Sequence, residues 1–204
     1  MTERLYPTRQ ARIVRRTNET NVEMTLDLDG HGEVKSDTGV PFLDHMLAAL
    51  GKHSQFDITV TCAGDASMDP HHSVEDIGIV LGQALRQALG DRAGVRRFGH
   101  AYAPLDEALA RVVADCSGRP FLHYEVSMPE ALVAPGFASS LIVEFWRALA
   151  MNAALTLHVD LVRSQNAHHA AEAIFKAAAV ALREATRFSA RDPHQIPSTK
   201  GVLA

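Results

Sequence analysis

Residues 22–29, VEMTLDLD, set Val22, Met24, Leu26 and Leu28 on one side of the chain and polar or charged residues on the other, the period of two of a half-buried strand. ARIVRRT (11–17) reads as a strand before it. Pro41 opens a helix that runs through Leu50, and FDITVTCAG (56–64) returns to strand. From His71 to Leu89 the spacing changes to three and four, with Val74, Ile77, Val80, Leu81 and Leu85 on one face of a longer helix. The same order then recurs. ALARVVADC (108–116) and PFLHYEV (120–126) read as strands, Leu141 to Met151 as a helix, LTLHVDLV (155–162) as a strand and His168 to Phe188 as a helix.

The repetition is also one of residues. DPHHSVED (69–76) returns as NAHHAAEA (166–173), so that His71 falls on His168, His72 on His169 and Glu75 on Glu172, an offset of 97. Ile77, Ala84, Leu85, Arg86 and Ala88 fall on identical residues at that offset. Upstream, FLDHMLAAL (42–50) matches LIVEFWRAL (141–149) at an offset of 99, which sets His45 on Glu144. A period near 100 is too long for a solenoid and predicts an α+β domain duplicated internally, each half strands, helix, strand, helix. The junction is expected in the glycine-punctuated loop GDRAGVRRFG (90–99). The expected divisions are 1–92, 93–192 and a C-terminal tail, 193–204.

Composition narrows the function classes. The 204 residues are 47% hydrophobic and 22% charged, ordinary for a globular chain. A net charge of −4 with scattered Lys and Arg provides no basic stripe for nucleic acid. Neither a leader-like N-terminus nor a membrane span is read, so a cytoplasmic protein is expected. Cys62 and Cys116 stand apart with no CxxC spacing and are expected as free or buried thiols.

Histidine, at 11 residues, is the unusual entry point to chemistry. On a helix, Glu75 shares a face with His71 and His72, and Glu172 with His168 and His169. Adjacent helical residues diverge by about 100°, so the histidines of each pair can serve different metals. With His45 and Glu144 the duplication offers eight imidazole and carboxylate ligands, enough for two ions. Without thiolates, Zn, Fe, Ni and Mn all suit such a set. His31, His53, His100, His123, His158 and His194 have no repeated partner and read as ordinary histidines.

Along nearly its whole length the chain resembles the imidazoleglycerol-phosphate dehydratase family. The resemblance is carried by RTNET (16–20), PFLDHML (41–47), DPHHSVED (69–76), RRFG (96–99), PLDEAL (104–109), SGRP (117–120), AMNAALTLH (150–158), HHAAEAIFKA (168–177) and PSTKG (197–201). It implies helices packed between two mixed sheets, a ribosomal protein S5 domain 2-like fold. It also implies dehydration of D-erythro-imidazole-glycerol phosphate to imidazole acetol phosphate in L-histidine biosynthesis, with two Mn(II) per active site.

By the same resemblance, one metal takes His45, His72, Glu75 and His169, and the other takes His71, Glu144, His168 and Glu172. The sites are implied at subunit contacts of a 24-subunit homo-oligomer. Glu144 stands where many members carry histidine. Glu19 is nominated as the acid/base residue, also touching substrate, with Glu172 or a metal-bound water as competitors. Arg97, Arg119, Ser198, Thr199 and Lys200 match phosphate and substrate positions, and Asp106 matches without an assigned role. The implied route leads through a dimetal-bound imidazolate and a diazafulvene-like intermediate, which makes the C2 hydrogen removable. A dinuclear hydrolase of phosphorylated substrates and a metal-holding scaffold are the competing classes.

Overall fold

The computed structural model describes residues 8–64, 69–189 and 195–203; His194 lies outside them. The chain forms two four-stranded sheets of the same topology. Strands β1 (Gln10–Arg16), β2 (Thr20–Asp27), β3 (Val34–Asp37) and β4 (Asp57–Gly64) lie in the order β1-β2-β4-β3, with β3 parallel to β4 and the other pairs antiparallel. Strands β5 (Phe98–Leu105), β6 (Ala108–Asp115), β7 (Phe121–Glu125) and β10 (Thr156–Arg163) repeat this as β5-β6-β10-β7, with β7 parallel to β10. Helices α1 (Pro41–Ser54) and α2 (His71–Leu89) accompany the first sheet, and α3 (Ser140–Ala153) and α4 (Ala167–Thr186) the second. The duplication read from the sequence is therefore also one of topology, in an α+β fold.

Each sheet turns one face inward. In β2 the alternation buries Val22, Met24 and Leu26, and in β6 it buries Ala110, Val112 and Ala114. The helices fill the space between the sheets and cross between halves: α2 packs on β1, β2 and α3, while α4 packs on β5, β6 and α1. The α2–α3 contact is close because α2 presents glycine. A Cβ on Gly78 would stand 2.7 Å from the Phe145 carbonyl oxygen. Likewise, a Cβ on Gly99 of β5 would stand 2.0 Å from the Ala181 carbonyl oxygen, so α4 lies against the strand backbone. The core is continuous across both halves and includes Trp146, Phe145 and Phe175 in mutual ring contact.

Several boundaries differ from expectation. Helix α1 continues to Ser54, where Gln55 ends it in a left-handed conformation, and α4 stops at Thr186, before Phe188. The expected junction loop closes earlier, since Phe98 and Gly99 already belong to β5. Strands β3 and β5 and a small hairpin, β8 (Leu132–Ala134) with β9 (Phe137–Ala138), add to the elements read from the pattern. Both cysteines are buried, and burial pushes the Cys116 thiol up to about 12. Among the described residues no helix is long and apolar enough to cross a membrane.

Candidate metal centre and anion pocket

Helix α4 starts where Asn166 caps it, its side chain accepting a hydrogen bond from the His169 amide at 3.1 Å. This fixes His168 and His169 in the first turn and Glu172 one turn on. Because α1 lies against α4, His45 is brought to the same place. His45 Nε2 and His168 Nε2 are each 3.4 Å from Glu172 Oε2, and the two imidazoles stack with centroids 5.8 Å apart. Phe42 closes the apolar side, edge-on to His168 and in contact with Phe137. Ligand atoms of His45, His168 and Glu172 all lie within 4.8 Å of one another, the one such group among the described residues. Two imidazoles and a carboxylate with no thiolate fit a divalent transition metal. Partial burial raises the Glu172 carboxyl, but hydrogen bonds from Lys176, 2.7 Å away, and from His45 outweigh it and hold the group below the usual glutamate range.

The first repeat is more open. His71 Nε2 is 3.9 Å from Glu75, and the His71 and His72 rings stand nearly perpendicular, at 85°. His168 and His169 meet at 80°, so each pair diverges as the helical period requires. Glu144, the counterpart of His45, is gripped at 2.6 Å through both oxygens by Arg147 of its own helix. Within one chain the expected set of His45, His72, Glu75 and His169 does not converge. His45 instead meets His168 and Glu172 from the other set.

Glu19 sits in the β1–β2 turn with its carboxylate 3.9 Å from His72 Nε2 and its side chain 56% exposed. The turn is held from behind: buried Asp76 of α2 accepts from Thr20 Oγ1 and from Arg15 Nε, the latter at 2.9 Å. In the second half, Glu107 of the β5–β6 turn meets His169 Nδ1 at 2.8 Å. The hydrogen bond with His169 lowers the Glu107 carboxyl to about 2 and raises His169. Sequence reasoning missed Glu107, singling out its neighbour Asp106. The available signal was alignment of the two hairpin turns, which sets Asn18-Glu19-Thr20 on Asp106-Glu107-Ala108.

The second cluster is a candidate anion pocket. Arg97, Arg119, Ser198, Thr199 and Lys200 line one cavity of about 270 Å³. Arg97 holds a left-handed backbone (φ 72°), donates through Nε to Asp115 at 2.8 Å and through Nη1 to the Pro197 carbonyl at 2.8 Å, and so ties the tail to the sheet. The hydrogen bond with Asp115 raises the Arg97 pKa. Arg119 lies 3.8 Å from Asp115 and is 60% exposed, leaving its guanidinium and Lys200 available to a phosphate.

A family model described as imidazoleglycerol-phosphate dehydratase matches residues 38–182, well over half of the chain. The chain belongs to the imidazoleglycerol-phosphate dehydratase family. An imidazoleglycerol-phosphate dehydratase of Nitrosococcus oceani is 53% identical over 193 residues, covering 95% of this chain and 98% of the relative. One of Burkholderia orbicola is 51% identical over 195 residues, covering 96% and 100%. Among solved structures, the Staphylococcus aureus dehydratase superposes with a TM-score of 0.80 at 39% identity, covering 88% of this chain and 99% of that one. The Pyrococcus furiosus enzyme in complex with (S)-C348 gives 0.80 at 38% identity, covering 94% and 100%. As a member of the imidazoleglycerol-phosphate dehydratase family the chain is an enzyme, a lyase of histidine biosynthesis, and the family is metal-dependent.

Proposed function

We propose that the chain converts D-erythro-imidazole-glycerol phosphate to imidazole acetol phosphate in the cytoplasm, with two Mn(II) per active site, in a 24-subunit homo-oligomer. Its two halves, 1–92 and 93–192, and the tail 193–204 act as one catalytic unit, ligands coming from both halves. The observation that carries the reading is a distance. Arg97 of the anion pocket donates its amide to the Ala185 carbonyl near the end of α4, whereas His168 stands at its start. Seventeen residues of helix at 1.5 Å each separate them by roughly 25 Å. One imidazole ring, three carbons and a phosphate are far shorter than that. A complete site therefore joins the metal end of one subunit to the phosphate end of another, which also lets neighbouring copies complete the sets His45, His72, Glu75, His169 and His71, Glu144, His168, Glu172.

Metals held by these residue sets would supply Lewis acidity to the substrate's imidazole ring, easing loss of the C3 hydroxyl by way of an imidazolate and a diazafulvene-like ring. The chain's own groups do the rest. Arg119, Lys200, Ser198 and Thr199 hold the phosphate, with Arg97 fixed by Asp115 as the rigid wall of the pocket. Glu19 takes the C2 proton; its carboxylate is exposed and unclamped, whereas Glu172 is tied by Lys176, His45 and His168. Loss of C2–H and the C3 hydroxyl yields an enol, and tautomerisation completes the ketone.

The test is to strip the metal, add Mn(II) back and follow imidazole acetol phosphate together with particle mass. Mn(II)-dependent product accompanied by growth to a large particle is expected. Product from a metal-free single subunit would overturn the shared site, and release of free phosphate would replace dehydration with hydrolysis.

A further inference from the structure

The duplication extends to a pair of carboxylates outside the ligand sets. In each half the last residue of the first hairpin turn is a glutamate, Glu19 before β2 and Glu107 before β6, and each faces the second histidine of the repeated motif: Glu19 faces His72, and Glu107 faces His169. Their states differ. Glu19 stands 3.9 Å from its histidine, beyond hydrogen-bond reach. Glu107 is engaged through both oxygens: Oε2 meets His169 Nδ1 at 2.8 Å, and Oε1 accepts from the Gln165 amide at 3.2 Å and from Ser164 Oγ at 3.3 Å. A left-handed Asp106 (φ 47°) turns the hairpin tip back onto α4 to make this contact.

We propose that Glu107 is a positioning residue that holds the His169 ring by Nδ1–H and leaves Nε2 as the donor that faces a metal. An ionised carboxylate only accepts, so in this contact the imidazole proton sits on Nδ1. A carboxylate behind a ligating imidazole fixes tautomer and ring direction. The two hairpin glutamates have thus taken different tasks, Glu107 clamped behind a ligand and Glu19 left free for substrate. The inference rests on His169 being a metal ligand, as proposed above.

The experiment is calorimetric titration of Mn(II) into the metal-stripped full-length protein and its variants, with the unfolding midpoint of each metal-free form as control. Glu107→Ala is expected to weaken Mn(II) binding by about 10–100-fold, while the metal-free form stays folded with a midpoint lowered by the lost turn contacts. Glu107→Gln, whose amide oxygen accepts the same bond, is expected to stay within a few-fold of the wild type, and Glu19→Ala to bind normally. If Glu107→Ala does not fold, Glu107→Asp is read instead; it keeps the charge, draws the carboxylate back by one methylene and is expected to bind about 10-fold more weakly. Wild-type affinity in both Glu107→Ala and Glu107→Asp would overturn the assignment while leaving the metal site standing. A wild type that takes up no Mn(II) would overturn both.

Discussion

The two halves share topology and motif but hold their chemistry differently. In the second, His168 and Glu172 already meet His45, and Glu107 is bonded to His169. At the first motif, Glu144, which α3 brings from the second half, is held by Arg147, and Glu19 stands 3.9 Å from His72, outside hydrogen-bond reach. The hairpin turns are also anchored by different means. Asp76 ties the first turn to α2 through Thr20 and Arg15, while its counterpart Ala173 has no polar group and Glu107 itself makes the link. A duplicated backbone thus presents the same positions twice, and single side chains decide which are locked and which are free.

The comparison breaks most visibly at Glu19. Glu19→Gln is expected to lower turnover by about 10²–10⁴-fold while metal content stays at the wild-type level, measured by steady-state assay beside elemental analysis. Near-normal turnover would remove Glu19 from the reaction. Next is its anchor. Asp76→Ala leaves Thr20 and Arg15 without their acceptor and is expected to cost about 1–3 kcal/mol, read by denaturant unfolding of the metal-free chain. The corresponding site in the second half, Ala173, offers no equivalent loss.

Glu144→His gives the second half the histidine that the first carries at His45. Exchanging carboxylate for imidazole and releasing Arg147 is expected to raise the preference for Zn(II) over Mn(II), by roughly 10-fold on ligand softness. Competitive metal titration checks it, and an unchanged ratio would show that Glu144 does not set metal choice.

The smallest effect concerns pH. Asp57 closes the loop before β3, its Oδ1 accepting from the His31 and Glu33 amides at 2.8 Å, whereas Thr156, at the same place in the second half, donates its hydroxyl to the Arg119 carbonyl. Desolvation raises the Asp57 carboxyl, but the backbone hydrogen bonds from Glu33, His31 and Gly32 together outweigh it and lower the pKa. Its folded pKa lies below the unfolded one, so its contribution is present above the unfolded value and disappears as pH falls through the folded value. Amide exchange at 30–33 is expected to quicken in mild acid, below about pH 4, and that at 117–120 to stay constant, with Asp57→Asn abolishing the difference.

Much of this was legible in the sequence where side chains are large. Helix α2 follows the pattern from His71 to Leu89 because a wide apolar stripe declares its period. Strand β5 escaped because Gly99, Ala101 and Ala103 line its inner face, small residues required by the close approach of α4 and carrying little hydrophobic signal. β3 is four residues with no fully buried side chain. The anion-pocket residues were nominated through their motifs. The meeting of His45 with His168 and Glu172 depends on α1 packing across halves, which local spacing does not encode, and Glu107 lacks any metal-ligand spacing.

The length of α4 has a genetic consequence. If the proposed site joins the metal end of one subunit to the phosphate end of another, two defective alleles are expected to rescue each other: subunits carrying His168→Ala and Arg119→Ala, each expected to be inactive alone, should restore some intact sites when assembled together. Two lesions at the same end offer no such rescue, so a cross between mutants would map the site's two halves without any structure.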